Sequence, residues 1–465
     1  MTRVLVKGGK VVTPDGVHER EVLIEKGVIV AIASPGQAIS ADEVVDATGK
    51  VVLPGGIDGH THFIENDPAV AQPHPEEFEG FENGSRAAAA GGVTTVIEMP
   101  QADPPTVTAE RWRRKRESAQ SSTLVDFGLW GGLVPGQTAA ERSELVDLGA
   151  AGFKAYMCGS DPSFSKVDDA QLLDALRQLA PLGVVVGLHA ENDALLHSGI
   201  DMMKREGRTD TLAHADSRPP VVEMEAVNRA IFFAEQTGAH VHIVHMSSAG
   251  SARLVGEAKR RGINVTCETT AHYLCLDLDD FARLGPYGRV APPLRSRDEV
   301  EGLWDHVADG TIDCLASDHC AFTAESKEPG RQNIWDAPDG LTGVQTNVPV
   351  FIDEAQRRGV PLSRIAAMIA TGPSRVWRLG PRKGAIEVGR DGDLILVDLA
   401  VEWTIAGRDL LQTQKWTPFE GRAMQVRVVR TLVRGTTVFL DGAEEPITVA
   451  PGFGRFVASG HPAVT

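Results

Sequence analysis

Gly55-Gly56-Ile57-Asp58-Gly59-His60-Thr61-His62-Phe63 is the stretch on which the fold turns. It follows the apolar run Val51-Val52-Leu53-Pro54, so it reads as a strand entered through a proline and two glycines. Side chains alternate along a strand, which places His60 and His62 on one face with Thr61 between them. Two imidazoles side by side at a strand end form half of a metal site. An isolated His-x-His is more often a chance pair in a polar loop, so its meaning depends on the rest of the chain.

On the N-terminal side, residues 1–54 are strand-like: Val4-Leu5-Val6, Lys10-Val11-Val12, Glu21-Val22-Leu23-Ile24, Val28–Ile32 and Glu43–Asp46. Pro14-Asp15-Gly16 and Ala47-Thr48-Gly49 punctuate them as turns. Beyond residue 55, short β-branched runs alternate with longer amphipathic stretches such as 166–181, 221–238, 248–262 and 296–309. Eight runs stand out: 55–63, 92–100, 125–133, 152–157, 184–192, 240–248, 264–270 and 313–320. That count of β-then-α repeats predicts an α/β fold, a (β/α)8 TIM-like barrel over 55–380. After 383 the strand-and-turn texture returns, as in Asp393–Asp398 and Arg427–Val433. Segments 1–54 and 381–465 are therefore expected to join into a small β-sandwich beside the barrel.

A chain of 465 residues suits one large barrel plus a smaller domain. Its 46 basic and 63 acidic residues leave a net charge of −17, which opposes nucleic-acid binding. No apolar run approaches the roughly 18 residues of a membrane span. The start, Met1-Thr2-Arg3-Val4-Leu5-Val6-Lys7, lacks the features of a signal peptide, and a cytoplasmic location is expected. Five cysteines without a Cys-x-x-Cys pair indicate neither a disulfide framework nor a cysteine zinc knot. Most read as small buried residues, with Cys320 beside a candidate site.

Barrel enzymes place their chemistry at the C-terminal ends of the strands. There the chain offers His60 and His62 on the first strand, Lys154 on the fourth and His189 on the fifth, then His245 on the sixth and Asp318 on the eighth. Each alone is a weak signal, but six ligand-type residues at one end of one barrel form a site. In the sixth strand, His240 and His242 share a face, while His245 shares the other with Val241 and Ile243. His245 is nearest the strand's C-terminal end and is taken as the ligand. His240 and His242 are assigned to packing toward the helices or to hydrogen bonds near the far end. Four histidines, a carboxylate and a lysine suggest two divalent ions, Zn²⁺ first, with Mn²⁺, Co²⁺ or Fe²⁺ also suited. An ammonium has no lone pair to give, so Lys154 would join only if deprotonated or carboxylated to a bridging carbamate.

The chain resembles the amidohydrolase superfamily, and within it the cyclic amidohydrolases: allantoinase, hydantoinase, dihydropyrimidinase and dihydroorotase. The resemblance runs from Pro54–His62 through Gly152-Phe153-Lys154, His189-Ala190-Glu191-Asn192 and Val244-His245-Met246-Ser247-Ser248. It continues through Ala291-Pro292-Pro293-Leu294-Arg295 and Ser317-Asp318-His319 to Lys383–Leu394. It implies a binuclear centre in which His60, His62 and Asp318 hold one metal, His189 and His245 the other, and a carbamylated Lys154 bridges them. It also implies that Asp318 takes a proton from the attacking water and returns it to the departing ring nitrogen. Relatives of this kind are commonly tetramers, so a homo-oligomer, tetramer or dimer, is expected.

Dihydroorotases carry an arginine just after His-x-His, where this chain has Phe63-Ile64-Glu65-Asn66. Dihydropyrimidinases and many D-hydantoinases place a tyrosine five residues after the bridging lysine, where this chain has Gly159, and Tyr156 is expected on a different face. Dihydropyrimidinase and dihydroorotase are therefore the less favoured readings. Phe78–Ser85, Val96–Pro100, Trp130–Gly136 and Cys267–Tyr273 with its His272 look like allantoinase, although Asn66–Ala69 replaces the usual Glu-Pro-Gly-Arg. Gly285–Ala291, Lys327–Gly330 and Gly452–Val457 look closer to the L-hydantoinase type. The substrate implied is a five-membered cyclic ureide, allantoin first and substituted hydantoins second. Ala291, Asp339 and Gly340 are candidate substrate contacts, although Asp339-Gly340 reads equally as a plain turn. A catalytically dead scaffold relative is the non-enzyme alternative, and the intact ligand positions weigh against it.

Overall fold

The computed structural model describes residues 3–64, 79–159, 164–380 and 382–460. Eight parallel strands close a barrel: β1 (Gly56–His62), β2 (Val93–Glu98), β3 (Asp126–Leu129), β4 (Gly152–Tyr156), β5 (Val185–His189), β6 (His240–Ile243), β7 (Val265–Thr269) and β8 (Cys314–Leu315). Two strands are split. Trp130 separates β3 from Gly131–Gly132, which pairs with β4 instead of β2. Residues 316–318 separate β8 from His319–Cys320, which pairs with β1 and closes the ring.

Two apolar clusters record the alternation of these strands. Val186, Leu188, Val241, Ile243 and Leu315 pack with helix residues such as Ala226, Val227 and Ala230. A separate cluster draws Ile57, Ile97, Val185 and Cys314 from four strands, with Trp130 and Val244 just past the ends of two more, and joins them to Trp377. Only the barrel interior lets residues of opposed strands share one cluster, so this is its core. The helices form where amphipathic stretches meet good caps. Asp168 accepts from the Gln171 amide while Gln171 reaches back, a capping box that starts the helix Asp169–Leu179. Gly238, at φ 71°, ends the helix Pro220–Thr237 in the left-handed conformation that glycine adopts without strain.

Both ends of the chain supply strands to one six-stranded sheet, ordered Thr436–Leu440, Arg427–Val433, Leu394–Asp398, Val51–Pro54, Lys10–Thr13, Gly16–Glu19. A four-stranded sheet of Arg3–Lys7, Glu21–Glu25, Val28–Ala33 and Glu43–Asp46 packs on it through Val6, Ile24, Val52, Leu394 and Leu432, which completes the β-sandwich. The edge strand Gly16–Glu19 begins at the last residue of the expected Pro14-Asp15-Gly16 turn and shows no alternation, its side chains being nearly all exposed. No described helix is long and apolar enough to cross a membrane.

Candidate metal centre

β1 delivers His60 and His62, β4 Lys154, β5 His189, the turn after β6 His245, and the gap between β8 and His319 holds Asp318; all six are buried. The Nε2 atoms of His60 and His62 lie 3.1 and 3.4 Å from the same Asp318 oxygen. These three residues each offer one ligand atom within 4.8 Å of the others. His189 Nδ1 faces His245 Nε2 at 2.9 Å. The two groups adjoin, since the His60 and His245 ring centroids are 5.4 Å apart. Lys154 Nζ lies 5.1 Å from the centre of the Tyr156 ring, which stacks on His189 at 4.8 Å.

His245 reaches this cluster against the strand alternation. His242 and Val244 face the barrel core, where His242 meets Trp377 edge-on at 5.5 Å. Val241 and Ile243 face the helices. Of the two expectations for His242, packing toward the helices is corrected, while hydrogen bonding is what it does: it bonds Thr266 Oγ1 at 2.8 Å and Glu268 at 3.2 Å on the inner face. Alternation would send His245 outward with Val241. A left-handed backbone at His245, φ 37°, turns it into the mouth instead. Asp318 uses the same device at φ 49°. Such conformations are strained for residues other than glycine and cluster at functional sites.

Three buried carboxylates, to which sequence reasoning gave no role, brace the centre. Glu268 on β7 takes His60 Nδ1 at 2.6 Å and the His245 amide at 3.2 Å. With Nδ1 engaged by Glu268, Nε2 is the His60 atom turned toward Asp318. Glu191 takes His189 Nε2 at 2.8 Å. Glu98 on β2 accepts from Thr61 Oγ1 at 2.9 Å and from the Phe63 and Ile64 amides at 3.0 and 2.9 Å, clamping the segment around His62.

The electrostatics suit cation binding. Burial pushes His62 down to about 4 and His245 well below the ordinary imidazole range. Burial likewise lowers His189. Neutral imidazoles are the ones with a lone pair to give. Burial also opposes charge on His60, but the Asp318 and Glu268 carboxylates outweigh it and raise the ring above its usual value. Asp318 is itself held well below the carboxylate range: burial opposes this, and the His60 charge overcomes it. A buried set of imidazole nitrogens around one carboxylate fits divalent cations.

The candidate substrate contacts lie farther out. Asp339 is no plain turn residue: its Oδ1 meets Arg289 Nε at 2.8 Å, and Arg218 Nη2 stands 3.9 Å from Oδ2. Gly340, at φ 153°, has space only for hydrogen, since a Cβ would come within 2.7 Å of Cys320 Cβ and the Phe322 ring. Ala291 is half-buried. Tyr156 shares the inward face of Lys154, and its hydroxyl accepts from Gln101 Nε2 at 2.8 Å. His272 is buried with Nε2 unpartnered. Glu65, Asn66–Ala69 and Phe78, which enter the substrate reading, lie outside the described residues. All five cysteines are buried thiols, Cys320 among them.

Residues 51–438 match the amidohydrolase family. An allantoinase from Rubrobacter xylanophilus is 40% identical over 460 residues, covering 97% of each chain. An L-hydantoinase from Paenarthrobacter aurescens is 35% identical over 459 residues, covering 98% of each. The solved L-hydantoinase (dihydropyrimidinase) from Arthrobacter aurescens superposes with a TM-score of 0.94 at 35% identity, over 98% of this chain and all of that one. A dihydropyrimidinase from Brevibacillus agri NCHU1002 gives 0.89 at 30% identity, over 99% of this chain and all of that one. The chain belongs to the amidohydrolase family, as one of its cyclic amidohydrolases.

Proposed function

We propose that the protein opens the amide bond of a five-membered cyclic ureide, converting allantoin to allantoate. A second reading, a 5-substituted hydantoin opened to an N-carbamoyl amino acid, is favoured by the 0.94 TM-score to the L-hydantoinase. The observation that carries both is the convergence of His60, His62 and Asp318 with His189 and His245, with Lys154 against the Tyr156 ring that stacks on His189.

In this reading His60, His62 and Asp318 would hold one divalent ion and His189 and His245 a second, with Lys154, carboxylated on Nζ, as a further ligand. Two such ions, zinc first among the candidates, would lower the pKa of water and polarise the ring carbonyl. Asp318 accepts the proton of the attacking water at a carboxylate oxygen and delivers it to the departing ring nitrogen. His60 and His62, both within 3.4 Å of that carboxylate, fix its orientation. Ala291, Asp339 and Gly340 are assigned to the substrate side of the mouth. From texture and resemblance alone we further propose a barrel over 55–380, a sandwich of 1–54 with 381–465, and a cytoplasmic homo-oligomer, dimer or tetramer.

The test is a rate comparison of allantoin, 5-monosubstituted hydantoins of both hands and dihydrouracil, using protein produced with zinc and bicarbonate. Allantoin is expected to be opened fastest. Ammonia release from aminopyrimidines or aminopurines with no ring opened would overturn the reading.

A further inference from the structure

Arg218 lies between the helices Thr211–Asp216 and Pro220–Thr237, far in sequence from every metal-ligand candidate, and it is 4% exposed. Its Nη1 donates to Glu191 Oε2 at 2.9 Å, and its Nη2 stands 3.9 Å from Asp339 Oδ2. The same Glu191 oxygen meets His189 Nε2 at 2.8 Å. A guanidinium buried this deeply between two carboxylates could serve folding alone. Here, however, the first carboxylate ends on an imidazole of the centre, and the second sits in the segment leading to Gly340.

A carboxylate only accepts, and a neutral imidazole carries one N–H. With Glu191 held against Nε2, that nitrogen carries the proton and the lone pair stays on Nδ1, the atom facing His245 Nε2 at 2.9 Å. A single guanidinium bond, Nη1 to Oε2, holds Glu191 at the oxygen that meets His189. The arginine is itself held: its carbonyl accepts from Arg295, whose Nε donates to Ser247 Oγ at 3.0 Å. We infer that Arg218 is a positioning residue for the His189–His245 half of the centre. Through Glu191 it selects the His189 tautomer that can bind a cation, and through Asp339 it ties this half to the segment that leads to Gly340. The inference rests on the two-ion reading above.

Zinc binding tests it without recourse to turnover. Wild type, Arg218→Lys, Arg218→Gln and Glu191→Gln are stripped with chelator and titrated with ZnCl2, reading stoichiometry by elemental analysis and Kd by competition with a chromophoric chelator. Wild type should take two ions. Arg218→Gln should keep the first at wild-type affinity and bind the second about 10- to 100-fold more weakly, with Arg218→Lys in between. Glu191→Gln, whose amide can donate as well as accept, should behave like Arg218→Gln. It decides the matter if Arg218→Gln does not fold. A purely structural role would weaken both ions together or neither. Either outcome in a folded variant overturns the inference. A wild type that takes fewer than two ions refutes the two-ion reading itself, before any substitution is compared.

Discussion

Gly59 lies between Asp58 and His60 on the strand that carries the His-x-His pair, and an added methyl tests how tightly that strand is registered. A Cβ at Gly59 would lie 1.9, 2.3 and 2.5 Å from Cη2, Cζ2 and Cζ3 of Trp377. Ordinary contact begins at 3.4 Å, so ring or strand must retreat by about 1.5 Å. The ring has no free direction: Trp377 is fully buried, edge-on to Trp130 at 6.1 Å and to His242 at 5.5 Å. Trp130 is pinned in turn, because its Nε1 donates to the Gly59 carbonyl at 2.9 Å. The strand must yield, carrying His60 with it. Overpacking a core costs about 1–3 kcal/mol, and a rigid aromatic neighbour puts Gly59→Ala at the upper end. Metal–ligand distances tolerate about 0.2 Å, so zinc should be lost well before the fold. Urea-denaturation midpoints of the zinc-free protein and zinc content of the loaded protein measure the two effects. A Gly59→Ala/Trp377→Leu double variant should recover part of the loss, with a coupling of about 1–3 kcal/mol. A Gly59→Ala protein within about 0.5 kcal/mol of wild type and holding its zinc, or a strictly additive cycle, would refute the reasoning.

Asp318→Asn should fold, because asparagine tolerates φ 49° at least as well as aspartate, yet lose about 10²- to 10⁴-fold in kcat; steady-state rates on metal-loaded protein check it. Lys154→Ala should lose metal occupancy by elemental analysis, and small carboxylic acids should restore part of the activity. Lys383 is buried, 2.5 Å from Asp126, 2.6 Å from Asp393 and 3.1 Å from Asp391, where the barrel meets the sandwich. Lys383→Met leaves those carboxylates to Arg434 and Arg382 and should cost about 3–5 kcal/mol by urea denaturation. Cys267 and Cys275 are each pushed by burial from 9.0 to about 12, so the folded state holds their protons more tightly than the unfolded chain. The stability this gives is complete below pH 9 and is lost as pH rises from 9 toward 12. Cys275→Ala should flatten the alkaline decline of the urea midpoint.

What the sequence made legible followed from local periodicity. Val186 and Leu188 against His189, or Phe153 and Ala155 against Lys154, sort correctly by alternation, since those strands run straight to their ends. The amphipathic stretch 166–181 holds the helix Asp169–Leu179, whose start Asp168 and Gln171 cap. His245 could be named only by its place at the strand end, because the alternation that should have aimed it is broken at that residue. The carboxylate shell was illegible for a different reason. Glu268 meets His60 across 208 residues of chain, and nothing near Glu268 records that contact. Glu191 lies beside His189 in sequence, but its partner Arg218 comes from a separate loop 27 residues on. The Gly16–Glu19 edge strand was hidden because an exposed edge needs no apolar face.

The two strained residues and the carboxylates belong to one arrangement. Left-handed backbones at His245 and Asp318 cost about 1–3 kcal/mol each and persist only where neighbours fix them. Glu268 fixes the first, binding the His245 amide at 3.2 Å and His60 Nδ1 at 2.6 Å. Asp58 fixes the second: one oxygen takes the Ser317 amide at 3.1 Å and the His60 amide at 3.2 Å. Ser317 then holds the His319 amide at 3.2 Å, so the residues on both sides of Asp318 are tied. Each strained turn is thus referred to His60 through a single buried carboxylate. β1 supplies two of the candidate ligands and also serves as the datum against which β6 and β8 are registered. Ligands from five separate strand ends can be held to the tolerance of a metal centre only if such a common reference exists, and the sequence from Asp58 to His62 supplies it.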